Sequence, residues 1–222
     1  SELITVLESA EASLHAKTTV AGILAASQDA SIRDYLHQFG QKVIQHLYEL
    51  KVEEYILMRD FGKEKTLYIR TLLSEKSWAL TKLIVCLVAP EQNREARDLF
   101  KSLYSSNEEL ISNAIEVLQN MGERQLVYHI IPVLENISLE QIAGYGMKVF
   151  QIRDREGRIV LGKYLSYNDL ELKEAAIYTV CQVELTELVP VLKKIRSDRS
   201  IEGTLQQTCL WSLDRLESRV LQ

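Results

Sequence analysis

Four histidines, His15, His37, His46 and His129, and three cysteines, Cys86, Cys181 and Cys209, carry the side chains in this 222-residue chain best suited to hold a metal or attack a substrate. A protein metal site asks for paired ligands at short spacing, as in HExxH on one helical face or CxxC in a tight loop, and neither occurs here. The histidines read as structural or surface groups, and no metal is expected. GxGxxG, GxxxxGK[ST] and GxSxG are also absent, so there is no recognisable phosphate cradle or hydrolase elbow, and no cofactor is expected. The nearest glycine pairing, Gly144-Tyr145-Gly146, follows no strand pattern and reads as glycine that lets helices approach each other.

Acid–base chemistry would need carboxylates that share a proton, and the candidates are Glu53-Glu54 and Glu108-Glu109. Neighbours on a helix point about 100° apart, and acids near a helix start are favoured by its dipole, so both pairs read as solvated faces. Arg153, Arg155 and Arg158, with Lys193, Lys194, Arg196 and Arg199, are the basic concentrations. Both sets fall near helix ends. Gathered on one edge they would form a docking strip for an acidic segment or a phosphate; the simpler reading is solvated charge at helix C-termini and turns. Trp78 and Trp211 could stack on a base or peptide, but their apolar helical neighbours favour core or inter-repeat packing.

The elements that would position these residues are helices. Apolar residues make up 46% and charged residues 26% of the chain, with only 9 Gly and 3 Pro, a balance that suits a globular protein and leaves little room for turn-rich β structure. A net charge of −5 gives no general attraction to nucleic acid or anionic membrane, so no nucleic acid partner is expected. The longest strongly apolar run, Leu83 to Ala89, is far short of the ~20 residues a membrane helix needs. No membrane insertion is expected. The start, SELITVLESAEASLHAK, has neither the basic beginning nor the apolar segment of a secretory signal, and it lacks a Met. The expectation is an excised piece of a longer protein. The odd, widely spaced cysteines suit buried thiols in a reducing compartment, with the cytoplasm as the default.

Within Ser105 to Gly122, SSNEELISNAIEVLQNMG, Ser106 and Glu109 have the spacing of a reciprocal helix cap, and Gly122 suits the stop. Leu110, Ile111, Ala114, Ile115 and Leu118 form a stripe at helical period. The pattern returns. Ser138 and Gln141 precede Ile142, Tyr145, Gly146, Val149 and Phe150; Asn168 and Glu171 precede Leu172, Ala175, Ala176, Thr179 and Val180. Thr204 and Gln207 accompany Leu205, Thr208, Cys209, Ser212 and Leu213. Aligned on Ile111, Ile142, Leu172 and Leu205, the stripes are spaced by 31, 30 and 33 residues, the nearly constant period of a solenoid.

Short helices are expected before each, at Arg94 to Tyr104, Arg124 to Glu135, Arg158 to Leu165 and Leu185 to Ile195. Two carry similar cores, Ile130-Ile131-Pro132-Val133-Leu134 and Leu188-Val189-Pro190-Val191-Leu192. Proline must lie in a first turn or bend the helix, and its recurrence suggests a shared template. Residues 1–70 are less regular: helices about Glu2 to Ala12 and Leu14 to Ser27, then an apolar pattern from Ile32 to Ile56 that is one long helix or two with a bend at Gly40.

Over Leu72 to Leu216 the chain resembles the short HEAT-like repeats of bacterial proteins. The stretch from Leu72 to Glu135 also resembles the soluble helical region that follows the membrane domain in some bacterial relatives of ADP/ATP carrier transporters, through Asn113-Ala114-Ile115-Glu116-Val117-Leu118 and Pro132-Val133-Leu134. The resemblance implies an all-α, right-handed α-α superhelix of antiparallel helix pairs. It would be a single solenoid domain over 1–222, with 1–70 a divergent N-terminal cap and 71–222 the repeats.

It also implies a non-enzymatic interaction or regulatory module that binds a protein partner, or another domain of its own polypeptide, on the surface the repeats make together. In the transporter-like case it would be a cytoplasmic arm tethered through a missing part. The alternative is an enzyme on the same architecture, like a bilin lyase or a DNA glycosylase. No catalytic residue is assigned, and the interacting residues are left unassigned.

Overall fold

A computed structural model describes residues 2–9, 12–89, 99, 101–103, 105, 107–121, 124–135, 137–198 and 203–220. Every regular element among the described residues is helical: α1 (Glu2–Glu8), α2 (Leu14–Ala25), α3 (Ala30–Phe61), α4 (Leu67–Val88), α5 (Glu108–Met121), α6 (Arg124–Leu134), α7 (Leu139–Val149), α8 (Gly157–Leu165), α9 (Leu170–Gln182), a 3-10 turn (Thr186–Leu188), α10 (Val189–Ser197) and α11 (Thr204–Val220). The chain is all-α, as its composition predicts. None of these helices is long and apolar enough to cross a membrane. The molecule divides into two compact units, Ser1–Leu50 with Lys76–Gln151 and Lys51–Glu75 with Ile152–Gln222.

In the first unit, Ser13 accepts the amide of Ala16 at 3.2 Å to start α2, which packs on α1. The long apolar pattern forms one helix, α3. Gly40 is buried within it, and a Cβ there would lie 2.7 Å from Leu126 Cδ1, so glycine lets α6 approach closely. Ile44, Leu47, Tyr48, Ile84, Leu118, Leu126 and Ile130 form the core. For α5, the expected caps Ser106 and Gly122 lie outside the described residues, and the amide of Glu109 is accepted by Asn107 Oδ1 at 2.9 Å. Ala114, Ile115 and Leu118 are buried, whereas Leu110 is exposed, so the apolar stripe is narrower than its periodicity implies. In α7 the reciprocal cap forms as expected: the Gln141 amide donates to Ser138 Oγ at 3.2 Å and the Ser138 amide to Gln141 Oε1 at 3.0 Å. Most of the helix expected at Arg94 to Tyr104 lies outside the described residues.

In the second unit short and long helices alternate, and α9 packs against both α8 and α11 while α10 packs on α11. The cap of α9 is Asp169, one residue after the expected Asn168; its Oδ1 accepts the Leu172 amide at 3.1 Å. All five expected stripe residues of α9 are buried, as are Leu205, Cys209, Ser212 and Leu213 of α11. The Cys209 thiol donates to the Leu192 carbonyl at 3.2 Å. Thr208 donates to Glu174, and Trp211 meets Tyr178. Since both positions advance together, α9 and α11 run parallel, as successive second helices of a repeat would.

Two features depart from a strictly sequential stack. Residues 51–75 join 152–222 in one unit, with Lys163 donating to Glu53 across 110 positions of sequence. The two prolines also occupy different places: Pro190 is in the first turn of α10, where no donor is required, but Pro132 is inside α6, two residues before its end. The matched motifs are therefore not matched in helical position.

Candidate interaction surface

The residues first considered for chemistry are mostly absorbed into the fold. Cys86, Cys181 and Cys209 are buried, and burial pushes the Cys209 thiol up. Among the described residues no three His, Cys, Asp or Glu side chains are grouped to hold a metal. His129 is the most embedded of the histidines in polar and aromatic contacts. Its Nδ1 shares a hydrogen bond with the Tyr145 hydroxyl at 2.9 Å, its carbonyl accepts from the Tyr48 hydroxyl at 2.7 Å, and Phe150 stands 5.1 Å from its ring. Burial lowers its proton affinity, so the neutral ring is favoured at this α6–α7 junction.

Glu53 and Glu54 are not the solvated face their sequence suggests. Both are buried, at 9% and 7% exposure. Glu53 accepts from Lys163 Nζ at 2.7 Å and from the Tyr164 hydroxyl; Glu54 accepts from Lys51 Nζ at 3.0 Å and lies 3.8 Å from Arg70. A buried carboxylate persists only when paired and hydrogen-bonded, and these are, so the cluster ties α8 to the C-terminal half of α3 and the start of α4. With every acid already neutralised, it offers no proton-sharing carboxylate pair.

Nearby in the same unit, Arg59 at the end of α3 grips both carboxylate oxygens of Asp154 at 2.9 Å and donates to Asp60 at 2.8 Å. Asp60 in turn accepts the first amide of α8, Gly157 N–H, at 2.6 Å. Burial alone would raise the Asp60 carboxyl, but the Arg59 guanidinium and the Gly157 amide outweigh it and hold it below its ordinary range. A Cβ at Gly157 would come 2.5 Å from the Phe61 ring, so glycine is needed for this approach.

The two basic concentrations lie toward opposite ends of α10. Arg158 pairs with Glu156 and reaches Glu187 at 3.7 Å, which places it beside the turn before α10, and Arg153 and Arg155 are exposed just ahead of it. Lys194 and Arg196 lie at the other end of α10, about 13 Å on at 1.5 Å per residue. Lys193 pairs with Glu217 at 2.7 Å, and Arg199 lies outside the described residues.

An aromatic row on the second unit is left over. Tyr68 of α4, Tyr178 of α9 and Trp211 of α11 remain 41%, 37% and 42% exposed. Tyr178 stacks on Trp211 at 5.7 Å and 9°, and Tyr68 meets Tyr178 edge-on at 6.1 Å and 79°. Arg215, one turn beyond Trp211, brings its guanidinium carbon 5.4 Å from the indole centre. Burial, with Glu174 and Glu171 nearby, raises the Tyr68 phenol and keeps it a neutral hydrogen-bond donor. Searches of protein-family models, of curated proteins and of solved structures find no match to this chain. The row therefore has to be interpreted from its own geometry.

Trp211 packs against Tyr178 of a neighbouring helix and yet keeps a large free surface; Trp78 is half-buried in the first unit. Sequence reasoning missed Tyr68 and Tyr178. A signal for Tyr178 was present: it stands six residues after Leu172, as Trp211 stands six after Leu205. The same register position holds Val117 and Lys148 in the other two copies, and that aligned position is exposed in all four helices.

Proposed function

We propose that this chain is a non-enzymatic, HEAT-like helical-repeat module that takes a peptide segment, from a protein partner or a neighbouring domain, across Tyr68, Tyr178 and Trp211. The observation that carries this reading is the exposed row itself. Tyr, Trp and Arg are the residue types that dominate binding energy at interfaces, and their rings cover much area at little entropic cost. Rings already stacked on one another are held in place before a partner arrives, which lowers the ordering cost of association. Parallel second helices α9 and α11 support a repeat stack over Gly157 to Val220, and such a stack presents these helices side by side.

A displayed random-peptide library selected on the wild-type protein, and counter-selected on Tyr178→Ala/Trp211→Ala, tests the proposal. Enriched peptides should bind the wild type at micromolar Kd and lose at least tenfold on the double variant, whose thermal unfolding stays close to wild type. Failure to enrich any sequence, or equal binding to both proteins, overturns it.

A further inference from the structure

We propose that the first unit carries a separate binding cleft for a medium-chain aliphatic carboxylate. The cleft is open to solvent, has a volume of about 390 Å³ and is lined by Ala12 and residues of α1, α2, α3 and α4, with Leu7, Phe39 and Leu83 among its apolar walls. That volume is near the lower end of the ~300–1,000 Å³ typical of ligand pockets, which suits one acyl chain better than two.

Its polar lining is entirely cationic or potentially so: Lys17 from α2, and Lys42 and His46 from α3. Phe39, Lys42, Val43 and His46 follow one another at i, i+3, i+4 and i+7, the spacing of a helix stripe that faces other helices. Along it Val43 is buried, Phe39 and His46 are half-buried and Lys42 is exposed, so the basic members of the stripe reach solvent beside its apolar ones. His46 has Glu49 at 3.4 Å. Among the described residues Lys17 and Lys42 have no ion-pair partner and no acid lines the cleft. An apolar cleft with two unpaired ammonium groups and no acid complements a ligand with an apolar chain and an anionic end. The carboxylate would take hydrogen bonds from Lys17 and Lys42 while the chain lies against Phe39 and Leu83.

Isothermal titration with decanoate, octanoate, decanol and decyltrimethylammonium, all below their micellar concentrations, tests this on the whole chain. Decanoate should fill a single saturable site, with octanoate weaker by roughly fifteenfold, because each of the two methylenes lost from an apolar site costs about fourfold. Lys17→Gln/Lys42→Gln should weaken decanoate by tenfold or more and leave decanol unchanged. Lys42 is exposed and Lys17 half-buried, so the variant should fold; its thermal transition checks this. Leu80→Trp, which fills the cleft, should remove binding of both ligands. No decanoate binding to wild type, equal binding by the lysine variant, or equal binding of decyltrimethylammonium overturns the proposal. None of these outcomes bears on the peptide selection, which concerns residues of the other unit.

Discussion

The Glu53-Glu54 cluster and the Tyr68–Tyr178–Trp211 row belong to the same unit, and each lies where its residue types would not place it. The acids are less than a tenth exposed and held by Lys51, Lys163 and Tyr164, whereas three large aromatic rings each keep more than a third of their surface free. Residue type alone does not decide which way a helical position faces. Glu53 and Glu54 are buried because α8 and α4 supply partners for them, and no charge can be buried without such partners. Tyr178 and Trp211 meet each other at the surface of α9 and α11, and the sixth position after the aligned apolar residue is exposed in all four helices.

The sharpest way to break this contrast is at Glu53. Glu53→Ala leaves Lys163 and the Tyr164 hydroxyl without their acceptor, and it should cost about 3 kcal/mol, the lower end for breaking a buried pair because Lys163 is partly exposed. Urea unfolding measures it. Glu53→Gln keeps an acceptor for Tyr164 and should lose roughly half as much. A loss below 0.5 kcal/mol on the alanine change, about the size seen at solvated positions, would mean that the cluster behaves as an exposed face after all.

Asp60 gives a smaller and pH-dependent effect. Its carboxylate caps α8 through the Gly157 amide, so Asp60→Ala should cost about 1–2 kcal/mol at neutral pH. Its folded pKa is depressed, so the wild type holds this contribution above the unfolded carboxylate value of about 3.9 and loses it as pH falls through the lower folded value. Asp60→Asn should flatten the acid limb of a stability–pH curve below about pH 4. An unchanged acid limb would show that the Arg59 and Gly157 contacts do not stabilise the charged form. The Arg59–Asp154 pair is more exposed, and Asp154→Ala should change stability by less than about 1 kcal/mol.

Helix content was legible in the sequence because it depends on local pattern. The Ser138–Gln141 cap forms as its spacing predicts, and the buried faces of α9 and α11 follow their stripes. The cap of α9 was placed one residue early because Asn168 and Asp169 are both competent caps, and the amide of Leu172 selects the second. What could not be read was any contact between residues far apart in the chain. Glu53 with Lys163 and Asp60 with Gly157 join positions about a hundred residues apart, and no periodicity signals them. Leu110 fails for a related reason: it fits the stripe by spacing, but its exposure depends on what packs beside it rather than on its period.

The aromatic row offers the smallest effect on stability and the most decisive reading of the contrast. Trp211→Ala and Tyr178→Ala remove partly exposed rings, so each should cost no more than about 1.5 kcal/mol. Their stacking makes the losses non-additive: a double-mutant cycle should show a coupling of about 0.5–1.5 kcal/mol, with Trp211→Phe keeping most of it. If Trp211→Ala instead cost 3 kcal/mol or more, as truncation of a core aromatic does, the ring would be a structural element and its exposed face incidental. A small stability loss together with loss of selected peptides would separate the two roles, since packing alone predicts that stability and binding fall together.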